Sequence, residues 1–104
     1  MPRGKGNRVI AEFSVHPVGE GTSVSGYVRT ALAELRKAKR LRLQVTPMGT
    51  VIEAERLSDI LTAVEAAHES LFRHGAKRVD FFLRVDDRRD KARRMEDKVR
   101  AVQP

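Results

Sequence analysis

The sequence predicts an α+β fold in which a four-stranded sheet carries two long helices on one face. Four segments alternate apolar and polar residues with the two-residue period of a strand, and two longer segments repeat apolar residues at three- and four-residue steps. Their order along the chain is strand, helix, strand, strand, helix, strand. Because two β-α-β halves joined by a hairpin form one antiparallel sheet, we expect a ferredoxin-like β-α-β-β-α-β sandwich, followed by a short C-terminal helix.

The first half of the chain supplies one strand and one helix. Residues 9–16, VIAEFSVH, alternate as a strand does, and Pro17 and the glycines after it end that strand. Ser23 and Ser25 are candidate N-caps, because a hydroxyl can accept from the free N–H groups of a first helical turn. The helix that follows has apolar residues at helical spacing, namely Val28, Ala31, Leu32, Leu35 and Ala38.

The second half begins with a hairpin. Residues 41–46 and 50–54 read as strands, and the intervening Thr46–Gly49 has the Pro and Gly positions of a type I turn. A second amphipathic helix runs from Leu57 to Leu71, with Gly75 just past its end. The segment RVDFFLRV, residues 78–85, predicts the fourth strand, and apolar spacing from Met95 to Val102 predicts the final short helix.

Composition bounds the class of protein. We expect residues 9–104 to form a single domain behind a flexible basic leader, residues 1–8. The chain has no cysteine, which excludes disulfides and thiolate chemistry, and it has no apolar run near the roughly 20 residues that span a bilayer. The leader lacks the apolar segment of a secretory signal, so the expected location is cytoplasmic and no membrane partner is expected.

One face of the predicted sheet should be wet in a monomer, yet Ile10 and Phe82 fall on it. Large apolar groups on such a face indicate that something covers it. We therefore expect sheets of two copies to pack face to face in a homo-oligomer.

Catalytic patterns are not evident in the sequence. The three histidines are far apart, and no Ser–His–acid, phosphate-loop or paired-carboxylate pattern occurs, so we expect no catalytic residues, no cofactor and no metal site. In DDRRDK, residues 86–91, carboxylates that could bind Mg²⁺ sit among basic residues, which favours local ion pairs. Alternatively, Arg88 or Arg89 reaches a ligand or a carboxylate of another subunit.

A net charge of +7, from 21 basic and 14 acidic residues, makes nucleic acid an alternative partner. The basic runs 36–42 and 88–94 are the best candidates for that surface. Ferredoxin-like RNA binders stack bases on aromatic side chains, however, and we expect Phe13 and Phe81 to lie on the buried, helix-facing side of their strands. Only Phe82 is suitably placed, so nucleic acid is the less favoured partner.

Three segments in order, HPVGEGTSVSGYV, TPMGTVIEAE and GAKRVDFFLRVDDRRDK, resemble the thiamine-binding-protein family. The similarity extends from about residue 8 to residue 102. The resemblance implies a ferredoxin-like fold, assembly into dimers or tetramers through the sheets, and binding of thiamine or its hydroxymethylpyrimidine part without catalysis.

A pyrimidine site needs a few fixed polar groups in an otherwise apolar pocket. Thr46, Thr50 and Glu53 can offer hydroxyls and a carboxylate to the ring, and the Met48 thioether can lie against it. The resemblance adds Ser23 and Ser25 at the start of the first helix, and Glu12 is the candidate carboxylate for a thiazolium cation. Each residue also has an ordinary interpretation as part of a turn, a strand or a helix cap.

Overall fold

The computed structural model describes residues 1–22 and 24–104, and within them the chain forms four strands and three helices. The elements are β1 (Val9–Pro17), α1 (Ser25–Lys37), β2 (Arg42–Thr46), β3 (Gly49–Ala54), α2 (Leu57–Arg73), β4 (Val79–Asp87) and α3 (Met95–Val102). Every predicted element is present, with ends that differ from the predicted ones by a few residues at most. Within the described residues, no helix has both the length and the apolar character needed to span a membrane.

The strands form one sheet in the order β2-β3-β1-β4, and each neighbouring pair is antiparallel. This α+β arrangement is compatible with the predicted ferredoxin-like fold. The central strand β1 pairs with β3 up to Phe13, opposite Thr50, whereas its pairing with β4 continues to Pro17, opposite Val79. The last residues of β1 therefore have a strand neighbour on one side only.

The hydrophobic core lies between one face of the sheet and helices α1 and α2. Alternate residues of β1 are buried there, as the two-residue period predicts: Val9, Ala11, Phe13 and Val15. Leu35 of α1 and Leu71 of α2 are 1% and 0% exposed and close the core from the helix side. Burying each such leucine contributes about 1.5–3 kcal/mol, so this packing fixes where both helices sit.

The opposite face of the sheet, which carries Ile10, Glu12, Glu53 and Phe82, is called the open face below. Helix α3 packs over one end of it, so Ile10 is only 9% exposed while Phe82 at the other end is 58% exposed. The expectation that this face is covered is thus met at the Ile10 end by the chain's own helix. Packing of a second copy on the remainder stays a prediction.

Two details of the predicted fold are wrong. Ser25 is not an N-cap, because Val24 occupies that position and Ser25 is the first helical residue; Ser23 lies outside the described residues. Phe81 faces α2 as expected, with its ring centroid 5.5 Å from that of His68, but it is 41% exposed rather than buried. The reason is that β4 is an edge strand, which α2 only partly covers.

Residues 1–8, expected to be a flexible leader, run beside the segment that follows β4. The Arg3 guanidinium lies 2.8 Å from the Asp87 carboxylate, and the amide of Asn7, which is 5% exposed, donates to the Lys91 carbonyl at 3.2 Å. These contacts tie the leader to the domain at two points.

Candidate ligand-binding site

A cavity of about 170 Å³ lies between the end of β1, the β2–β3 hairpin and α1, and is called the hairpin cavity. Its walls are mostly apolar. The hairpin contributes Val45, Thr46, Pro47, Met48, Gly49 and Thr50, and α1 and the residue before it contribute Val24, Val28, Ala31, Leu32 and Leu35. The TPMGT segment that the sequence singled out therefore forms one wall.

The hairpin approaches β1 closely because Gly49 has no side chain. A Cβ at this position would lie 2.8 Å from the Phe13 carbonyl oxygen, closer than real Cβ contacts. The same proximity shows that the Phe13 carbonyl points toward β3. Because backbone polar groups alternate sides along a strand, Val15, two residues further on, also directs its N–H and C=O toward that side.

No β3 residue pairs with Val15, since the β1–β3 register ends at Phe13 and Thr50. The hairpin cavity occupies the space beside this free edge, with residues 13–16 in its wall. The main-chain N–H and C=O of Val15 thus have no β3 partner on the side where the cavity lies. This feature was not predicted from the sequence, although the first strand was predicted to be longer than the third.

The side chains around the cavity differ in whether they already form hydrogen bonds within the protein. Thr46 bonds within the turn: its hydroxyl donates to the Gly49 carbonyl at 2.9 Å and accepts from the Met48 N–H at 3.3 Å. Thr50 is 6% exposed, and its hydroxyl has no hydrogen bond to any residue that the structure describes. Met48 is 83% exposed at the mouth of the cavity, where its flexible thioether can cover a bound ring.

The loop before α1 is held against the helix beside this cavity. The Tyr27 hydroxyl donates to a Glu20 carboxylate oxygen at 2.6 Å, and this hydrogen bond raises the pKa of Tyr27 above its usual value. The contact joins the loop to the first turn of α1, next to the wall formed by Val24 and Val28. Ser25, predicted near the ligand, is exposed at the start of this helix and is not in the cavity wall.

Glu53 lies on the open face, away from the hairpin cavity. It is 1% exposed, and both carboxylate oxygens are bonded: Oε2 to Arg42 Nη1 at 2.8 Å and Oε1 to the Met95 N–H at 2.7 Å. Met95 is the first residue of α3, so this carboxylate holds the positive end of that helix. A ligand role for Glu53 stays a prediction, but the structure gives the residue a complete set of protein partners.

Arg42 links Glu53 to Glu96 of α3, donating to both Glu96 oxygens at 3.1 and 2.7 Å. Its hydrogen bonds to Glu96 and then Glu53 raise the pKa of Arg42, while Arg42 lowers the pKa of Glu96. Glu12 also lies on the open face, exposed and opposite Arg84 of β4, in the groove beneath α3. Neither Glu12 nor Glu53 lines the hairpin cavity.

The charged segment after β4 forms the local ion pairs that the sequence favours. Arg88 Nε donates to Asp90 at 2.6 Å, and Arg89 Nη2 donates to Asp87 at 2.9 Å. Arg89, followed by Arg3, lowers the pKa of Asp87 despite some desolvation. Within residues 1–22 and 24–104, no group of three or more His, Asp and Glu side chains is arranged to hold a metal ion.

The profile of the family described as thiamine-binding protein matches residues 11–103. The chain belongs to this family. A UPF0045 protein of Methanothermobacter thermautotrophicus is 43% identical over 95 residues, covering 90% of this chain and 95% of the relative. The Bacillus subtilis UPF0045 protein YqgV is 40% identical over 97 residues, covering 89% and 92% of the two chains.

Solved structures of similar proteins share this fold. The crystal structure of MJ1052 from Methanocaldococcus jannaschii matches with a TM-score of 0.84 at 38% identity, covering 92% of this chain and 96% of that one. A Thermotoga maritima protein assigned provisionally to thiamine biosynthesis or salvage matches with a TM-score of 0.76. At 21% identity, with 92% of this chain and 99% of that one covered, the latter match shows the fold alone.

Proposed function

We propose that this protein binds thiamine, or its hydroxymethylpyrimidine part, by taking the pyrimidine ring into the hairpin cavity. It acts in the cytoplasm as a binding protein and catalyses no reaction. The single observation that carries the proposal is the free edge of β1 beside an apolar cavity, in a chain whose family is described as thiamine-binding.

The size of the cavity favours a single ring. At about 170 Å³ it is smaller than the roughly 300–1,000 Å³ of pockets that enclose drug-sized ligands. The pyrimidine would fill it, and the thiazolium of intact thiamine would extend past the mouth. Hydroxymethylpyrimidine is therefore expected to retain much of the binding free energy of thiamine.

The polar groups suit an aminopyrimidine. A ring nitrogen that accepts and an exocyclic amine that donates match a backbone N–H and C=O presented side by side at Val15. The Thr50 hydroxyl, which no described side chain or backbone group engages, can bond the remaining polar edge. A hydrogen bond between this hydroxyl and the ligand inside the cavity would add to the free energy of binding.

Calorimetric titration with hydroxymethylpyrimidine and with thiamine tests the proposal. Saturable heat is expected with both ligands. Thr50→Val keeps the shape of the side chain but removes its hydroxyl, so affinity should fall by about 5- to 150-fold, equivalent to roughly 1–3 kcal/mol. The matched control is Thr62→Val, on the exposed side of α2.

A second variant separates loss of the site from loss of the fold. Val28 lines the cavity and is 36% exposed, so Val28→Phe can fill the mouth without entering the core. Binding should be lost while the thermal unfolding midpoint is maintained. Unchanged affinity in both Thr50→Val and Val28→Phe would place the ligand elsewhere and refute the assignment.

Assembly into a homo-oligomer, a dimer or a tetramer, is part of the same proposal. Phe82 of β4 is 58% exposed and Val99 of α3 is 50% exposed, and apolar groups of this kind favour burial against another copy. Sedimentation of the wild type and of Phe82→Lys tests it, since a charge on the open face should shift the mass toward the monomer.

Nucleic-acid binding is the alternative that the same titrations can reveal. In the basic runs, Lys37, Arg42, Arg88 and Arg89 already pair with carboxylates, which lowers the charge available to phosphates. If neither pyrimidine binds but an oligonucleotide does, with affinity that falls steeply as salt rises, the nucleic-acid interpretation would replace ours.

A further inference from the structure

A second cavity, of about 330 Å³, lies between the start of β1, the end of β4 with the segment after it, and α3. We call it the basic cavity, because its walls include Arg8, Arg88, Arg93 and Lys98. One acidic residue, Asp86, faces the same space and Asp90 pairs with Arg88 beside it, so four positive charges less two negative charges leave +2. We propose that this cavity binds a small phosphate-bearing anion.

The charges around the basic cavity are only partly neutralised. Asp86 pairs with Lys98, and Asp90 takes both hydrogen bonds from Arg88. Arg8 has a much weaker partner: its Nη2 lies 3.9 Å from Glu55, whose carboxylate is 73% exposed. Arg93 forms no ion pair with any residue in the described part of the chain.

Arg8 is the more telling of these two residues. Its side chain is only 18% exposed, so it has lost much of its hydration, yet its nearest carboxylate is at the limit of an ion pair. A guanidinium in this state gains from an oxyanion that it can bond with two parallel N–H groups. Arg93, half-buried across the same cavity, provides a second guanidinium that can donate two parallel hydrogen bonds.

The walls also indicate the kind of anion. The two guanidinium groups without a close carboxylate, Arg8 and Arg93, suit a multiply charged oxyanion better than a single carboxylate. Ile10 and Ala101 add apolar surface, and the volume exceeds that of one phosphate ion, so pyrophosphate or a small phosphate ester fits best. A cavity of this size favours a small molecule over a polynucleotide, which needs an extended basic stripe.

The basic cavity is separate from the hairpin cavity. The basic cavity is lined by Arg8, just before β1, and by Ile10, whereas the wall of the hairpin cavity begins at Phe13, about 10 Å beyond Ile10 along the strand. One involves α3 and the other α1, and no lining residue is shared. The anion site therefore does not depend on the pyrimidine assignment, and each can fail without the other.

Titration of the whole protein with pyrophosphate, at constant ionic strength and followed by calorimetry, tests the proposal. The wild type should bind one pyrophosphate per chain, and Arg93→Gln should weaken binding at least about tenfold. Arg8→Gln should do the same, and Arg93→Gln keeps the test valid if Arg8→Gln destabilises the fold. The matched control is Arg29→Gln, at an exposed position on α1 away from the basic cavity.

Three results would overturn the proposal. The first is the absence of saturable heat with pyrophosphate. The second is an equal loss of affinity in Arg29→Gln and Arg93→Gln, because that would mean diffuse attraction to a basic surface. A short single-stranded oligonucleotide that binds more tightly than pyrophosphate, and equally well to Arg93→Gln, would assign the charge to nucleic acid and count against the site.

Discussion

Glu53→Gln is expected to destabilise the fold and loosen α3, while leaving ligand affinity unchanged. The carboxylate is buried, and it accepts from Arg42 at 2.8 Å and from the Met95 N–H at 2.7 Å. A glutamine side chain offers one oxygen and one NH₂ group in the same space. One of the two donors would therefore face another donor, and its hydrogen bond would be lost.

The expected loss in the free energy of unfolding depends on which partners Arg42 keeps in the variant. A hydrogen bond to a charged group contributes about 1.5–3 kcal/mol. Removing one partner of a fully buried ion pair costs more, about 3–5 kcal/mol, because a charge is left buried and alone. Arg42 escapes that penalty, since its side chain is 45% exposed and keeps Glu96 at 2.7 Å. We expect a loss of about 2 kcal/mol in the free energy of unfolding.

Urea unfolding at fixed protein concentration measures this loss, because stability of an oligomer depends on concentration. The matched control is Glu65→Gln, exposed on α2, which should stay within about 0.5 kcal/mol of the wild type. The sequence alone predicts a different result, in which Glu53→Gln weakens pyrimidine binding and leaves the assembly intact. Unchanged stability together with weaker binding would refute our reasoning and make Glu53 a ligand residue.

Two further predictions concern the hairpin and the docking of α3. Gly49→Ala should lower the free energy of unfolding by about 1–3 kcal/mol, because the new Cβ clashes with the Phe13 carbonyl. The control, Gly26→Ala, lies on α1 with open space around its Cβ and should raise that free energy by up to about 1 kcal/mol. Thermal unfolding of both variants measures the difference. Stability should also fall in acid, because Arg42 lowers the pKa of Glu96 in the folded state. The Glu96–Arg42 pair therefore stabilises the fold above the ordinary carboxyl pKa of about 4. This stabilisation is lost as the pH falls through the lower pKa of the folded state. Glu96→Gln should flatten that part of the pH–stability curve, and a slope equal to that of the wild type would contradict this account.

The elements were predictable because their periodicities are strong. The alternation in residues 9–16 and the apolar stripe of the second helix each follow from one face being buried. The position of Phe81 was not predictable in the same way, since alternation identifies its face but not the lack of cover at a sheet edge.

The candidate site was predictable in its hairpin wall and not in its chemistry. The TPMGT segment lines the cavity, yet the Thr46 hydroxyl bonds within the turn and the Glu53 carboxylate bonds the first residue of α3. Side-chain identity cannot show which hydroxyl already has a partner. The free backbone edge at Val15 arises from the mismatch in length between β1 and β3, which the predicted strand lengths contained but the side-chain chemistry did not show.

The most direct test of the central claim is ¹H–¹⁵N chemical-shift mapping with hydroxymethylpyrimidine. If the ring bonds the free edge of β1, the amide of Val15 should move the most, with Thr50 and Met48 also affected. The amides around Glu53 should stay in place. A response centred on Glu53 and Glu12, with Val15 unmoved, would contradict the account and assign the ligand to the open face.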